Sequence, residues 1–198
     1  NSGCMHGCGH DGHTVMLLAA ARYLAKSRTF DGTVQFVFQP AEEANDSGSG
    51  AKAMIEDGLF ERFPMDNIFA MHNGPGFYSG AVATCPGVIS ASMDLFDVTI
   101  QGKGGHGAWP QDANDPLIIA AQMLIAWQTI ISRNVSADDA AVISATSIKT
   151  GNSWNVIPES AVIKGSIRTR SPDIQKLIEQ RFHQLTEHIA EAFGAFVT

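Results

Sequence analysis

The chain has 198 residues, enough to bury a core as one large domain or two small ones. Hydrophobic residues make up 44%, which argues against disorder, and a net charge of -7 with no long run of either sign excludes the basic footprint of a nucleic-acid binder. No stretch of about 18 uninterrupted apolar residues occurs, so no membrane span is expected, and no signal peptide is visible.

The first residues, Asn1-Ser2-Gly3-Cys4, are loop-like, and the last, Ala195-Phe196-Val197-Thr198, read as the start of a strand; the chain is therefore expected to be an internal segment of a longer protein. Between Gly12 and Arg28, Met16, Leu17, Ala20, Ala21 and Leu24 recur at helical spacing. Residues 33–38 alternate as a strand that Pro40 stops, a second helix is expected over Ser49 to Leu59, and Asn67 to His72 reads as another strand. Helix, strand, helix, strand with short connections predicts a mostly parallel α/β sheet, with the loops after Phe38 and Met71 on one edge. The pattern changes near Pro86-Gly87. Ser92 to Gln101 alternates, with Phe96, Val98 and Ile100 on one face. Asp115-Pro116 starts a helix that runs to about Arg133, because Asp suits the N-cap and Pro the first helical position. Strands follow at Ala141 to Thr150 and Ser160 to Thr169. A last helix opens at Ser171-Pro172, carries Ile174, Leu177, Ile178, Phe182, Leu185 and Ile189 on one stripe, and closes at Gly194. With a final strand from Phe196, this is the split βαβ order of an α+β ferredoxin-like sandwich. Two units are expected, 1–87 and 88–198.

Chemistry concentrates in short strings. Cys4-Met5-His6-Gly7-Cys8-Gly9-His10-Asp11-Gly12-His13 crowds metal-binding side chains among glycines that let the backbone turn tightly. A thiolate and neutral imidazoles suit zinc and its neighbours. Three cysteines in all, Cys4, Cys8 and Cys85, do not read as a disulfide framework and point to a reduced, cytoplasmic setting. Glu42 and Glu43 follow a strand, where one carboxylate can hold an ion while the other handles the proton of a water. His72 ends the next strand, on the same expected sheet edge. Gly102-Lys103-Gly104-Gly105-His106-Gly107 lacks Walker spacing and reads as a loop that presents His106 to a ligand. His183 and His188 lie on the last helix and are expected to be solvated or structural.

Five strings in order resemble the aminoacylase/carboxypeptidase-type metallopeptidases, in the amidohydrolase branch of hippurate hydrolases, indole-acetyl-amino-acid hydrolases and N-acetyl-diaminopimelate deacetylases. They are residues 5–13, residues 39–43, Met71-His72, residues 102–106, and Asn155-Val156-Ile157-Pro158 with Gly165-Ser166-Ile167-Arg168-Thr169. The resemblance implies a metallohydrolase catalytic domain followed by a lid and dimerisation domain. It implies that Cys8, His10, Glu43 and His72 bind two divalent ions (Zn, Mn, Co or Ni), that Glu42 is the general acid/base, and that Asp11 orients a ligand from behind. His106 and Asn155 would bind the substrate carbonyl or its oxyanion, and Arg168 the substrate carboxylate. The implied reaction is hydrolysis of the amide bond of N-acyl amino acids, by a homodimer paired through the lid. The family also has an upstream acidic segment and a downstream histidine ligand, absent here, and many relatives have Ala where Gly7 stands. The competing expectations are a non-catalytic dimerisation piece, and a dipeptidase or carboxypeptidase on the same scaffold.

Overall fold

The structure is a computed structural model and describes Gly3, residues 7–43 and residues 49–198. It divides into two compact units, Asn1–Val82 and Ala83–Thr198.

In the first unit a 3-10 turn at Gly7–Gly9 leads into helix α1 (His10–Ser27). The half-buried stripe of α1 is His10, His13, Leu17, Ala21, Leu24 and Ser27, so the helix runs two residues earlier than the apolar pattern alone indicates. Met16 and Ala20, expected on the inner stripe, are exposed. Arg28 ends the helix in the left-handed conformation, with its N–H bonded to the Leu24 carbonyl. The expected second helix is two short pieces, α2 (Gly50–Glu56) and α3 (Leu59–Arg62), separated at Gly58 with φ 82°. A left-handed glycine breaks a helix rather than extending it. At Gly50 a Cβ would lie 1.7 Å from the Pro40 carbonyl oxygen, so α2 starts only because glycine lets it rest on that turn.

Residues 33–38 and 67–72, expected as strands of a mostly parallel sheet, form no ladder among the described residues; all the ladders observed are antiparallel and lie in the second unit. Alternating side chains prepare a segment for a sheet but do not supply the neighbour whose N–H and C=O groups complete it.

The second unit runs β1 (Asp94–Gln101), β2 (Gly105–His106), α4 (Pro116–Asn134), β3 (Ala141–Thr150), β4 (Val156–Ile157), β5 (Ser160–Thr169), α5 (Pro172–Ala192) and β6 (Phe196–Val197). The main sheet has order β3-β5-β1-β6 with antiparallel neighbours. Each helix crossover, β1-α4-β3 and β5-α5-β6, therefore encloses a strand of the other, which is the split βαβ sandwich. Asp115 caps α4 by accepting from the Leu117 N–H at 2.9 Å, and Ser171 caps α5 by accepting from Ile174. The inner face of β1 (Phe96, Val98, Ile100) meets Ile119, Met123, Trp127 and Ile130 of α4 and Ile178 and Phe182 of α5. Trp127 stacks on Phe182 at 4.5 Å and donates to the Thr186 hydroxyl at 3.0 Å, so its one polar group is satisfied at zero exposure. Gly165 on β5 leaves room for the Phe96 ring, which would lie 2.3 Å from a Cβ there. Helix α4 is long and apolar enough to cross a membrane, but its inner face is the core of this sandwich.

Candidate metal centre and ligand-binding residues

The turn that opens α1 is left-handed three times over: Gly7 at φ 53°, Cys8 at φ 49° and Gly9 at φ 77°. Cys8 is the costly member, since its Cβ disfavours this region. A strained backbone at such a residue marks Cys8 as a candidate functional position. The turn brings the Cys8 thiol to the same place as the His10 imidazole. From 64 residues further on, His72 joins them, with its Nε2 3.7 Å from Cys8 Sγ. One ligand atom from each of Cys8, His10 and His72 lies within 4.8 Å of the others.

Tautomers follow from the hydrogen bonds. His72 Nδ1 is 2.8 Å from the Asn73 carbonyl oxygen, which can only accept. The ring proton of neutral His72 is therefore on Nδ1, and Nε2 keeps its lone pair facing Cys8. Glu43 Oε1 stands 3.7 Å from His10 Nε2, which adds a carboxylate to the edge of the group. Glu42 is exposed in the same turn and accepts from the Gln39 side-chain amide. The backbone just before the pair is also left-handed, at Ala41 with φ 54°. Asp11 is exposed in the first turn of α1, where its charge favours the positive end of the helix dipole. A thiol, two imidazoles with available lone pairs and a nearby carboxylate are a donor set that fits a soft-to-borderline divalent ion. Cys4 lies outside the described residues.

Two residues outside the candidate ligand set, His13 and Asn73, lie against this group. His13 Nε2 accepts from the Asn73 backbone N–H at 3.0 Å and lies 2.8 Å from Asn73 Oδ1. Its ring is 4.4 Å from that of His72 and 5.2 Å from that of His10. The spacing of His10 and His13, three apart on one helix, was a signal that the two share a face; nothing in the sequence marks Asn73 as their partner.

In the second unit, β2 pairs with β4 so that His106 faces Val156, and the Gly107 N–H donates to the Asn155 carbonyl at 2.8 Å. A Cβ on Gly107 would lie 3.1 Å from that same oxygen, so glycine permits the approach. His106 and Asn155 are thus brought together by backbone pairing. The Ala108 N–H donates to His106 Nδ1 at 3.1 Å, which in the neutral ring puts the proton on Nε2 and makes that atom a donor. Trp109, 61% exposed, lies with its ring 5.3 Å from that of His106. Asn155 accepts from the Ser153 hydroxyl at 3.1 Å. Arg168 is exposed near the other end of β5, eight residues or about 26 Å along the strand from Ser160. Its guanidinium lies 3.2 Å from Met93 Sδ. His183 packs edge-on to Phe182, and His188 Nδ1 lies 3.6 Å from Glu191.

Comparison with known proteins gives a consistent answer. The signature of Peptidase family M20/M25/M40 matches residues 1–193. The chain is 44% identical over 188 residues to the hippurate hydrolase of Campylobacter jejuni, covering 95% of this chain and 48% of that protein. It is 42% identical over 195 residues to the N-acetyl-L-cysteine deacetylase of Bacillus subtilis, covering 98% and 46%. Among solved structures, one described as an aminohydrolase from methicillin-resistant Staphylococcus aureus superposes with a TM-score of 0.87 at 33% identity, covering 100% of this chain and 52% of that one. A dinuclear metal-binding peptidase of the M20 family from Bacillus subtilis does so with a TM-score of 0.72 at 33% identity, covering 98% and 48%. The chain spans about half the length of the curated relatives it matches.

Proposed function

The chain belongs to Peptidase family M20/M25/M40, and from that membership we propose that the protein carrying it is a metal-dependent amidohydrolase acting on N-acyl amino acids. The observation that carries this reading is the meeting of Cys8, His10 and His72 donor atoms within 4.8 Å, with the Glu43 carboxylate beside His10. These four residues would hold two divalent ions, of zinc, manganese, cobalt or nickel. Bound there, the ions would supply Lewis-acid polarisation of the amide carbonyl and acidify water.

The remaining steps fall to the chain's own side chains. Glu42, next to a ligand and exposed, would take the proton of the attacking water and deliver it to the leaving amine. Asp11 would support the ligand-bearing turn through its charge at the start of α1. His106, with its proton on Nε2, would donate to the oxygen of the tetrahedral intermediate, and Asn155 would add a second polar contact beside it. Arg168 would bind a free carboxylate next to the amide nitrogen, since a guanidinium meets a carboxylate through two parallel hydrogen bonds. Arg168 sits eight residues along β5 from Ser160, about 26 Å, and one small substrate would meet both it and the His106–Asn155 pair if different copies of the second unit contributed them. This favours a homodimer paired through that unit, which would act as a lid and dimerisation domain. In the first unit, residues 33–38 and 67–72 would be strands of a mostly parallel catalytic sheet. A thiol ligand suits a reducing cytoplasm.

The relatives named hippurate hydrolase and N-acetyl-L-cysteine deacetylase support the substrate class. The test is hydrolysis of hippurate and N-acetylcysteine by the full-length protein, before and after chelation. Activity is expected to vanish with chelator and return with added metal, and Glu42→Gln is expected to lower kcat by about 10²- to 10⁴-fold. Turnover that survives both treatments would overturn the reading.

A further inference from the structure

The proposed centre assembles residues from two distant stretches, and its ligands are joined by something other than a metal. Asn73, next to His72, makes two hydrogen bonds and one close approach. Its N–H donates to His13 Nε2, its carbonyl accepts from His72 Nδ1, and its side chain lies so close to Gly9 that a Cβ there would come within 2.5 Å of its Nδ2. Gly9 is the residue between Cys8 and His10. His13 is half-buried, and its Nε2 accepts from the Asn73 N–H. We propose that His13 is a positioning residue: through Asn73 it clamps the His72 segment onto the first turn of α1, and so sets His72 against Cys8 and His10 before a metal ion arrives.

The inference rests on the metal-centre reading and adds to it. A ligand set drawn from residues 8, 10 and 72 would otherwise have to close a loop of some sixty residues at the moment of binding, an entropic cost that lowers affinity. A clamp made of protein hydrogen bonds moves that cost into folding. It also fixes which nitrogen of His72 is available, because the residue that carries the clamp also accepts the His72 Nδ1 proton. The ring of His13 against that of His72, at 4.4 Å and steeply tilted, restricts the remaining rotation.

The test uses Co²⁺ titration of the full-length protein, read by the visible ligand-field bands and by the near-ultraviolet thiolate-to-cobalt absorption of Cys8. In His13→Ala the Co²⁺ dissociation constant is expected to rise about 10- to 100-fold, with unchanged stoichiometry and an intact thiolate band at saturation. His13→Gln, whose side-chain carbonyl can accept the Asn73 N–H, is expected to recover most of the affinity. His13→Leu, a second variant without an acceptor, is expected to behave as His13→Ala does, and guards against failure of either one to fold. Co²⁺ affinity in His13→Ala and His13→Leu equal to that of the unaltered protein would overturn the clamp. Loss of a cobalt equivalent would overturn it too, by making His13 a ligand. Failure of the metal reading looks different: the unaltered protein would then bind no Co²⁺, or Cys8→Ser would leave its spectrum unchanged.

Discussion

The two units of this chain solve different problems. In Ala83–Thr198 every helix and long strand gives one face to a shared core, and Trp127, Ile100, Ile119, Met123, Ile130, Ile163 and Ile178 lose all contact with solvent. In Asn1–Val82, Gly50 alone among the described residues is buried, while Phe69 and Tyr78 are 91% and 92% exposed. Yet the candidate metal ligands gather in the first unit, held by a strained turn, a short helix start and a few hydrogen bonds. Burial of apolar surface makes a fold cooperative; a site needs donor atoms in one place, and turns and polar clamps can arrange that with little buried area.

The largest expected effect tests the core directly. Trp127→Ala removes the indole that fills the space between Phe96, Phe182 and Thr186, and is expected to cost about 3–5 kcal/mol in denaturant unfolding. Phe69→Ala is expected to stay within about 0.5 kcal/mol. Equal costs for the two would break the contrast between the units. Next comes metal. A divalent ion at 100 times its Kd stabilises what it binds by about 2.7 kcal/mol. Hydrogen exchange should show that protection around His10, His13, His72 and Asn73, with β1 and β5 unchanged. Protection spread evenly over both units would show that they are not separable.

Smaller effects sharpen the picture within the second unit. Gly165→Ala drives a methyl into the Phe96 ring and the Ser144 carbonyl, and is expected to cost about 1–3 kcal/mol, read as a lowered Tm. No change would mean that β5 and β1 are not packed as described. Asp115→Ala deletes the acceptor for the Leu117 N–H and is expected to cost about 1 kcal/mol by the same measurement. An unaltered Tm would show that α4 is not capped by that side chain.

Much of the second unit was legible residue by residue. The caps at Asp115 and Ser171, the strands at Ala141–Thr150 and Ser160–Thr169, and the stripe on α5 are local signals, each written within a few residues by periodicity or by a side chain that reaches its own backbone. The candidate residues were also visible, since the string at 4–13 crowds metal-binding side chains and the Glu pair at 42–43 follows an apolar run. The first unit shows where such reading stops. Residues 33–38 and 67–72 carry the alternation of strands, but pairing depends on a neighbour, and alternation says nothing about whether one is at hand.

What the sequence determined by itself was therefore the set of donors, the helix and strand periods, and the order of the split βαβ unit, all of which are properties of residues near one another in the chain. Only the tertiary structure decided that the Asn73 N–H meets His13 across 60 residues, that His106 pairs with Val156 so that the Gly107 N–H reaches the Asn155 carbonyl, and that Arg168 sits eight residues along β5 from Ser160. Contacts between distant segments depend on how the backbone turns in three dimensions, and no pattern of neighbours encodes that path.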